Sequence, residues 1–280
     1  MNWKIGDVTI HKIVDLVGGG AGVRALLPDA TAEEIVKMPW LIPSYAEPNG
    51  DLKLTVHSWL VRTPKLNIVV DTGIGNGKLN RSRPHWNDRK GDYLQRLEAA
   101  GCTADSIDLV ICTHLHVDHV GWNTRQDDGK WGPTFPNARY LFGSQEYRYW
   151  EKNSRSDEEI AVFEDSIHPI FSAGLVDFVE PEDSPCEELR FVGTPGHSAG
   201  HMSIAISSKG HNALLAGDVA HNPCQFARLN WSSVVDFDRE QASQTRRELA
   251  RKFADTPTLI FGGHFDPGRL VSAGDTFKMI

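Results

Sequence analysis

Thr113-His114-Leu115-His116-Val117-Asp118-His119, preceded by the apolar run Ile107–Cys112, decides how this chain is read. Three imidazoles and a carboxylate within six residues make a poor core and a good site for a first-row divalent metal. An apolar strand would carry His114 and His116 to one side, because side chains alternate along extended backbone. The chain then turns, which brings Asp118 and His119 to a second position nearby. A second metal accounts for donors packed so tightly.

Further donors follow other predicted strands, where the sheets of α/β chains gather functional groups. Gly193-Thr194-Pro195-Gly196-His197 sets a histidine on a turn after Leu189–Gly193. Gly217-Asp218 sets a carboxylate after Ala213–Ala216, and Gly262-Gly263-His264 repeats the arrangement after Leu259–Phe261. Asp71, in Asp71-Thr72-Gly73, reads either as a turn residue or as a carboxylate holding a ligand histidine in its tautomer. His201 begins a strand and reads as structural. His221 reads as a hydrogen-bonded loop histidine or as a proton donor to a leaving group. Trp40, Trp86, Trp122, Trp131, Phe226 and Trp231 fall on or beside predicted loops, where together they suit an apolar substrate pocket.

Alternation predicts strands over Val8–Asp15 and Thr55–Thr63, with a short β-branched run at Leu66–Val70. Gly18–Gly22 reads as a turn, and Thr31 opens a short helix that Pro39 must end. Residues 74–90 and Asn123–Asn137 read as loops. Helices are predicted over Gly91–Ala100, from Ser144 as N-cap to Trp150, over Asp157–Ala173 and over Asp238–Ala254. Strands at Arg139–Phe142, Leu175–Val179 and Met202–Ser207 complete an α/β chain with mixed sheets.

The length of 280 residues allows one large domain, and no linker divides it, so a single domain over residues 1–280 is expected. With 40% hydrophobic and 24% charged residues, the composition is ordinary for a soluble globular protein. A formal charge of −8 disfavours a nucleic-acid partner, which needs concentrated Lys and Arg. Cys102, Cys112, Cys186 and Cys224 show no paired spacing, and the N-terminal residues lack an apolar leader. A cytoplasmic protein with reduced thiols and no membrane partner is the expectation.

His114, His116, Asp118 and His119 form an H-x-H-x-D-H signature, followed in order by His197, Asp218 and His264. With Asp71-Thr72-Gly73 upstream, this pattern resembles the metallo-β-lactamase-fold hydrolase superfamily across nearly the whole chain. Within it, Gly217-Asp218-Val219-Ala220-His221 with Gln225 is most similar to the lactonase and methyl-parathion-hydrolase-like group. The resemblance implies a four-layer αββα sandwich of two mixed sheets flanked by helices. It implies one metal held by His114, His116 and His197 and a second by Asp118, His119 and His264, with Asp218 bridging. The metals implied are two divalent ions, zinc first, with iron, manganese or cobalt as alternatives.

On that reading, paired cations lower the pKa of a shared water from near 16 to roughly 7, and the resulting hydroxide attacks an ester-type bond. Asp118 orients that hydroxide, and His221 is the candidate acid. Lactones are the leading substrates, then aryl esters or phosphotriesters, and the molecule is expected to be small, apolar and uncharged. A homodimer is compatible with the resemblance. The alternatives are a β-lactamase-like amidase or thioesterase and, from another class, an iron-dependent redox protein such as a persulfide dioxygenase.

Overall fold

The computed structural model of the chain describes residues 2–19 and 21–280. Its contacts divide it into two compact units, Met1–Leu16 with Val56–Glu180 and Val17–Thr55 with Pro181–Ile280.

The first unit is organised by a seven-stranded sheet. In chain order its strands are β1 (Asn2–Ile5), β2 (Val8–Gly19), β3 (Lys53–Arg62), β4 (Asn67–Val70) and β5 (Leu109–Cys112). A separate hairpin, β6 (Thr124–Asp127) with β7 (Lys130–Pro133), precedes β8 (Arg139–Gly143) and β9 (Val176–Val179). The sheet order is β1-β2-β3-β4-β5-β8-β9. From β4 onward the neighbours are parallel, which requires crossovers: the helix Tyr93–Ala99 joins β4 to β5, and helical segments between 144 and 172 join β8 to β9. Val69, Val110, Cys112, Tyr140 and Phe142 pack with Tyr93 and Leu97 of the first crossover helix in one apolar core.

The second unit holds a four-stranded sheet of β10 (Leu189–Gly193), β11 (Met202–Ser208), β12 (His211–Gly217) and β13 (Leu259–Gly262). The first three pair antiparallel and β12 pairs parallel with β13 through the helix Arg239–Phe253. Asp238 caps that helix by accepting from Gln241 N at 2.9 Å. A hairpin, β14 (Leu270–Ala273) with β15 (Thr276–Met279), follows, and Leu270 and Met279 join a core with Leu214, Leu249 and Ile260.

Several local expectations give way to tertiary effects. Gly18 and Gly19 stay in β2, whose pairing with β3 carries the strand past its apolar stretch, while Gly20 lies outside the described residues and Ala21–Leu26 is a helix. Thr31 caps as expected, accepting from Glu34 N at 3.3 Å, but the helix stops at Ile35 and Pro39 opens a 3₁₀ turn instead of ending a helix. Ser144 is the first helical residue and not the N-cap, and its hydroxyl donates to Val179 O at 3.4 Å. The stretch expected as a single helix from Asp157 contains a π turn at Phe163–Ile167, ahead of Pro169, which has no N–H to give. The loop expected at 123–137 holds β6 and β7, turned at Asp128-Gly129 with φ of 47° and 76°. Among the described residues, no helix is long and apolar enough to cross a membrane.

Candidate metal centre

In the first unit the site grows from the parallel pairing of β4 with β5, which sets the residues following each strand side by side. Asp71 N donates to Ile111 O at 2.8 Å, and the residue takes φ 56°, a left-handed turn that Asp tolerates. Thr113 donates to the Asp71 carboxylate twice, from N at 2.8 Å and from Oγ1 at 2.9 Å. His119 Nδ1 lies 3.0 Å from Asp71 Oδ2, and Thr72 N donates to His119 O at 2.7 Å. Asp71 and Thr72 thereby grip both ends of the 113–119 loop. Gly121 lets the following turn close, because a Cβ there would stand 1.9 Å from the Ile74 carbonyl.

The loop's middle is held by a buried carboxylate. Glu146 Oε1 accepts from Leu115 N at 3.1 Å and from Trp150 Nε1 at 2.7 Å, and the Trp150 ring meets His116 edge-on at 5.4 Å. So fixed, His114 Nε2 and His116 Nδ1 stand 3.1 Å apart, and the His114 and His119 rings are 4.1 Å apart. Asp118 Oδ1 lies 3.8 Å from His119 Nε2. His114 and His119 are buried, whereas His116 and Asp118 are half-buried. The structure thus gathers all four donors of the signature. Burial, reinforced by Asp71, pushes the neighbouring Cys112 thiol far up, so it offers no thiolate.

In the second unit Asp218 follows β12, just past an irregularity in the pairing with β13. Its N–H donates to His201 Nε2 at 3.0 Å, so the proton of that ring sits on Nδ1 and is given to Thr194 Oγ1 at 2.8 Å. His201 is therefore structural, as expected. Around Asp218 Oδ2 stand His264 Nε2 at 3.0 Å, His221 Nε2 at 3.3 Å and His197 Nε2 at 3.5 Å. Gly263 permits this crowding, since a Cβ there would fall 2.1 Å from Asp218 Oδ1. His221 lies in the midst of the group, its ring parallel to that of His264 with centroids 5.6 Å apart, and its backbone N–H donates to Gln225 Oε1 at 2.7 Å. Asp218, His221 and His264 offer donor atoms within 4.8 Å of one another.

The ring tautomers test whether these residues suit a cation. His264 Nδ1 donates to Thr55 O at 3.0 Å, and His197 Nδ1 donates to Asp236 Oδ1 at 2.9 Å. A carbonyl and a carboxylate only accept, so each neutral ring keeps a lone pair on Nε2. Both lone pairs converge on a carboxylate oxygen of Asp218. Acceptors so placed repel unless protons or a cation lie among them. In the first unit the Thr113 hydroxyl, already donating to Asp71, accepts from His114 Nδ1 at 3.0 Å, and His114 Nε2 is again the free-electron nitrogen. Nitrogen and carboxylate donors with these outer hydrogen bonds fit divalent metal ions.

Residues that the sequence reading passed over complete the two groups. Thr113 and Glu146 shape the histidine loop, while Asp236 and Arg246 lie behind His197 and Asp218. No local spacing signals Glu146 or Asp236, because the contacts that tie them to the site, with Leu115 and His197, span about thirty or more residues of sequence. The loop aromatics are mostly engaged in packing. Trp122 stacks on Tyr93 at 5.1 Å and donates to Asp15 at 3.2 Å, Phe226 is fully buried, and Trp131 covers Lys78 at 3.7 Å.

A model of the metallo-beta-lactamase superfamily matches residues 52–264. An N-acyl homoserine lactonase of Bacillus sp is 24% identical over 238 residues, covering 80% of this chain and 86% of its own. An acyl-coenzyme A thioesterase of Homo sapiens is 27% identical over 189 residues, covering 64% of this chain and 63% of its own. Among solved structures, the dizinc quorum-quenching lactonase AidC, in complex with a product, shares the fold. The match has a TM-score of 0.81 and 20% identity, and covers 100% of this chain and 96% of that one.

Proposed function

The chain belongs to the metallo-beta-lactamase superfamily, and on that premise we propose a binuclear metal-dependent hydrolase of ester-type bonds, with lactones as its leading substrates. Aryl esters and phosphotriesters come next. His114, His116 and His197 would hold one cation and Asp118, His119 and His264 the other, with Asp218 shared. Zinc is the metal assigned, and iron, manganese or cobalt suit the same donors. One observation carries the reading: imidazole lone pairs, fixed by acceptors at Nδ1, are turned onto the Asp218 carboxylate.

When bound, the two cations supply a water acidic enough to ionise near neutral pH and a positive centre for the developing oxyanion. The rest falls to the chain. Half-buried Asp118 orients the water through its carboxylate and takes up the proton that the water sheds. Asp71 keeps His119 aligned and, through Thr113, His114 as well. His221 gives a proton from Nε2 to the departing oxygen. Support for a lactone comes from the lactonase relative. Support for an apolar substrate comes from Val234, Val235 and Phe237, which are exposed beside Asp236. Unpaired cysteines, three of them buried, support a reducing compartment.

A thioesterase is the second reading, favoured by the human relative. A panel of lactones, aryl esters, phosphotriesters, thioesters and β-lactams, presented to zinc-loaded protein, separates the two. The highest kcat/KM is expected for a lactone; a thioester in first place would replace that assignment, and no turnover of any member would overturn the hydrolase reading.

A further inference from the structure

We propose that Arg246 and Asp236 act as one positioning pair for His197 and Asp218, setting how tightly these two side chains hold a metal. The inference rests on the metal-dependent reading above. Arg246 lies on the helix Arg239–Phe253 and is among the largest fully buried side chains, although a guanidinium left without partners in an interior is costly. Its partners are specific. Nε donates to Val219 O at 2.9 Å, and Nη1 donates to Leu229 O at 2.9 Å and Trp231 O at 3.0 Å. Nη2 stands 4.0 Å from Asp236 Oδ2.

Two of these contacts lead directly to candidate ligands. Val219 follows Asp218, so the bond to its carbonyl pegs the main chain one peptide beyond the residue that carries that carboxylate. Asp236 accepts from His197 Nδ1 at 2.9 Å, which leaves Nε2 as the metal-facing nitrogen. Main-chain bonds reinforce the link, with Phe237 N donating to His197 O at 3.0 Å and Asp238 N to Gly196 O at 2.9 Å. Ser233 N donates to Asp236 Oδ2 at 2.8 Å, fixing the other carboxylate oxygen. Packing alone would be met by an apolar side chain, whereas three carbonyls and a carboxylate around one head group call for the planar fork of arginine.

The test uses the full chain, with zinc affinity read by competition against a chromophoric chelator and thermal midpoints measured on the metal-free proteins. Asp236→Asn keeps an acceptor for Ser233 N while removing the negative charge behind His197. Arg246→Lys keeps the charge but loses the fork. Each variant is expected to weaken zinc binding about 10- to 100-fold, and the double variant to be no weaker than the poorer single one. A drop in the metal-free midpoint of Asp236→Asn, which takes the countercharge from the buried guanidinium, is read separately from the zinc affinity of the folded protein. Unchanged affinity in both single variants, or additive losses in the double, would overturn the pair while leaving the metal reading intact. A lowered metal-free midpoint with unchanged affinity would reduce both residues to a structural role. A wild-type chain that binds no zinc would remove the reading on which the pair rests.

Discussion

Asp71 Oδ2 lies 3.0 Å from His119 Nδ1, and the same carboxylate accepts the Thr113 hydroxyl that stands 3.0 Å from His114 Nδ1. One side chain at the end of β4 thereby sets the ring orientation of two candidate ligands. Asp71→Asn replaces half of that acceptor with a donor aimed at N–H and O–H groups. The variant is expected to bind zinc about 10- to 100-fold more weakly. Calorimetric titration checks this, and wild-type affinity would show that Asp71 serves only the turn.

Asp118 and His116 share the half-buried rim of the first unit's cluster and are expected to fail differently. Asp118→Asn keeps an oxygen for the metal but cannot take up a proton, so metal content should hold while kcat falls by about 100-fold or more. His116→Ala removes a donor outright, and metal content measured by mass spectrometry should fall. Full occupancy in His116→Ala would contradict its assignment as a ligand, and full turnover in Asp118→Asn would take that residue out of the chemistry.

Much of this was legible in the sequence where one physical cause acts locally. The run before His114 reads as a buried strand because Val110, Ile111 and Cys112 are apolar without a break, and the donors that follow it are dense enough to signal a site. Asp218 and His264 were legible as donors set just after short apolar strands, and the structure adds that Gly263 serves a tight approach there. What local pattern missed depends on distant partners. Glu146 matters because of Leu115 N, and Ser144 loses its expected capping role to Val179 O. Aromatic side chains on loops read as pocket walls until the fold supplies Tyr93 for Trp122 and Lys78 for Trp131. The β6–β7 hairpin did carry a local signal in Asp128-Gly129, hidden within a polar stretch.

His221 is distinguished from its neighbours by leaving-group chemistry. If its ring protonates the departing oxygen, His221→Ala should slow esters of poorly acidic alcohols more than esters of acidic phenols, steepening the dependence of kcat on leaving-group pKa. Equal slowing across such a series would assign the ring to packing against His264.

Lys78 makes stability depend on pH. Its Nζ is buried, donating to Thr124 Oγ1 at 2.6 Å and Asp165 O at 2.9 Å, with Asp165 Oδ1 at 3.4 Å and the Trp131 ring at 3.7 Å. Burial lowers its pKa to about 7, with nearby Arg81 adding to the effect and Asp165 opposing it. Between that value and the ordinary 10.5, the unfolded chain binds a proton that the folded chain does not. The sign is therefore positive: this group's contribution to stability rises with pH in that window, by up to about 1.4 kcal/mol per pH unit, and is flat below it. Urea unfolding of Lys78→Met beside wild type should show the wild type gaining relative stability from about pH 7 to pH 10. A difference that stays constant with pH would contradict the assignment.

The central claim is that this chain holds two divalent cations on seven named side chains. Anomalous diffraction from crystals of the zinc-loaded protein tests it most directly. The account predicts two zinc peaks that share Asp218, one also bound by His114, His116 and His197 and the other by Asp118, His119 and His264. A single peak, or zinc bound elsewhere with these side chains unligated, would contradict it.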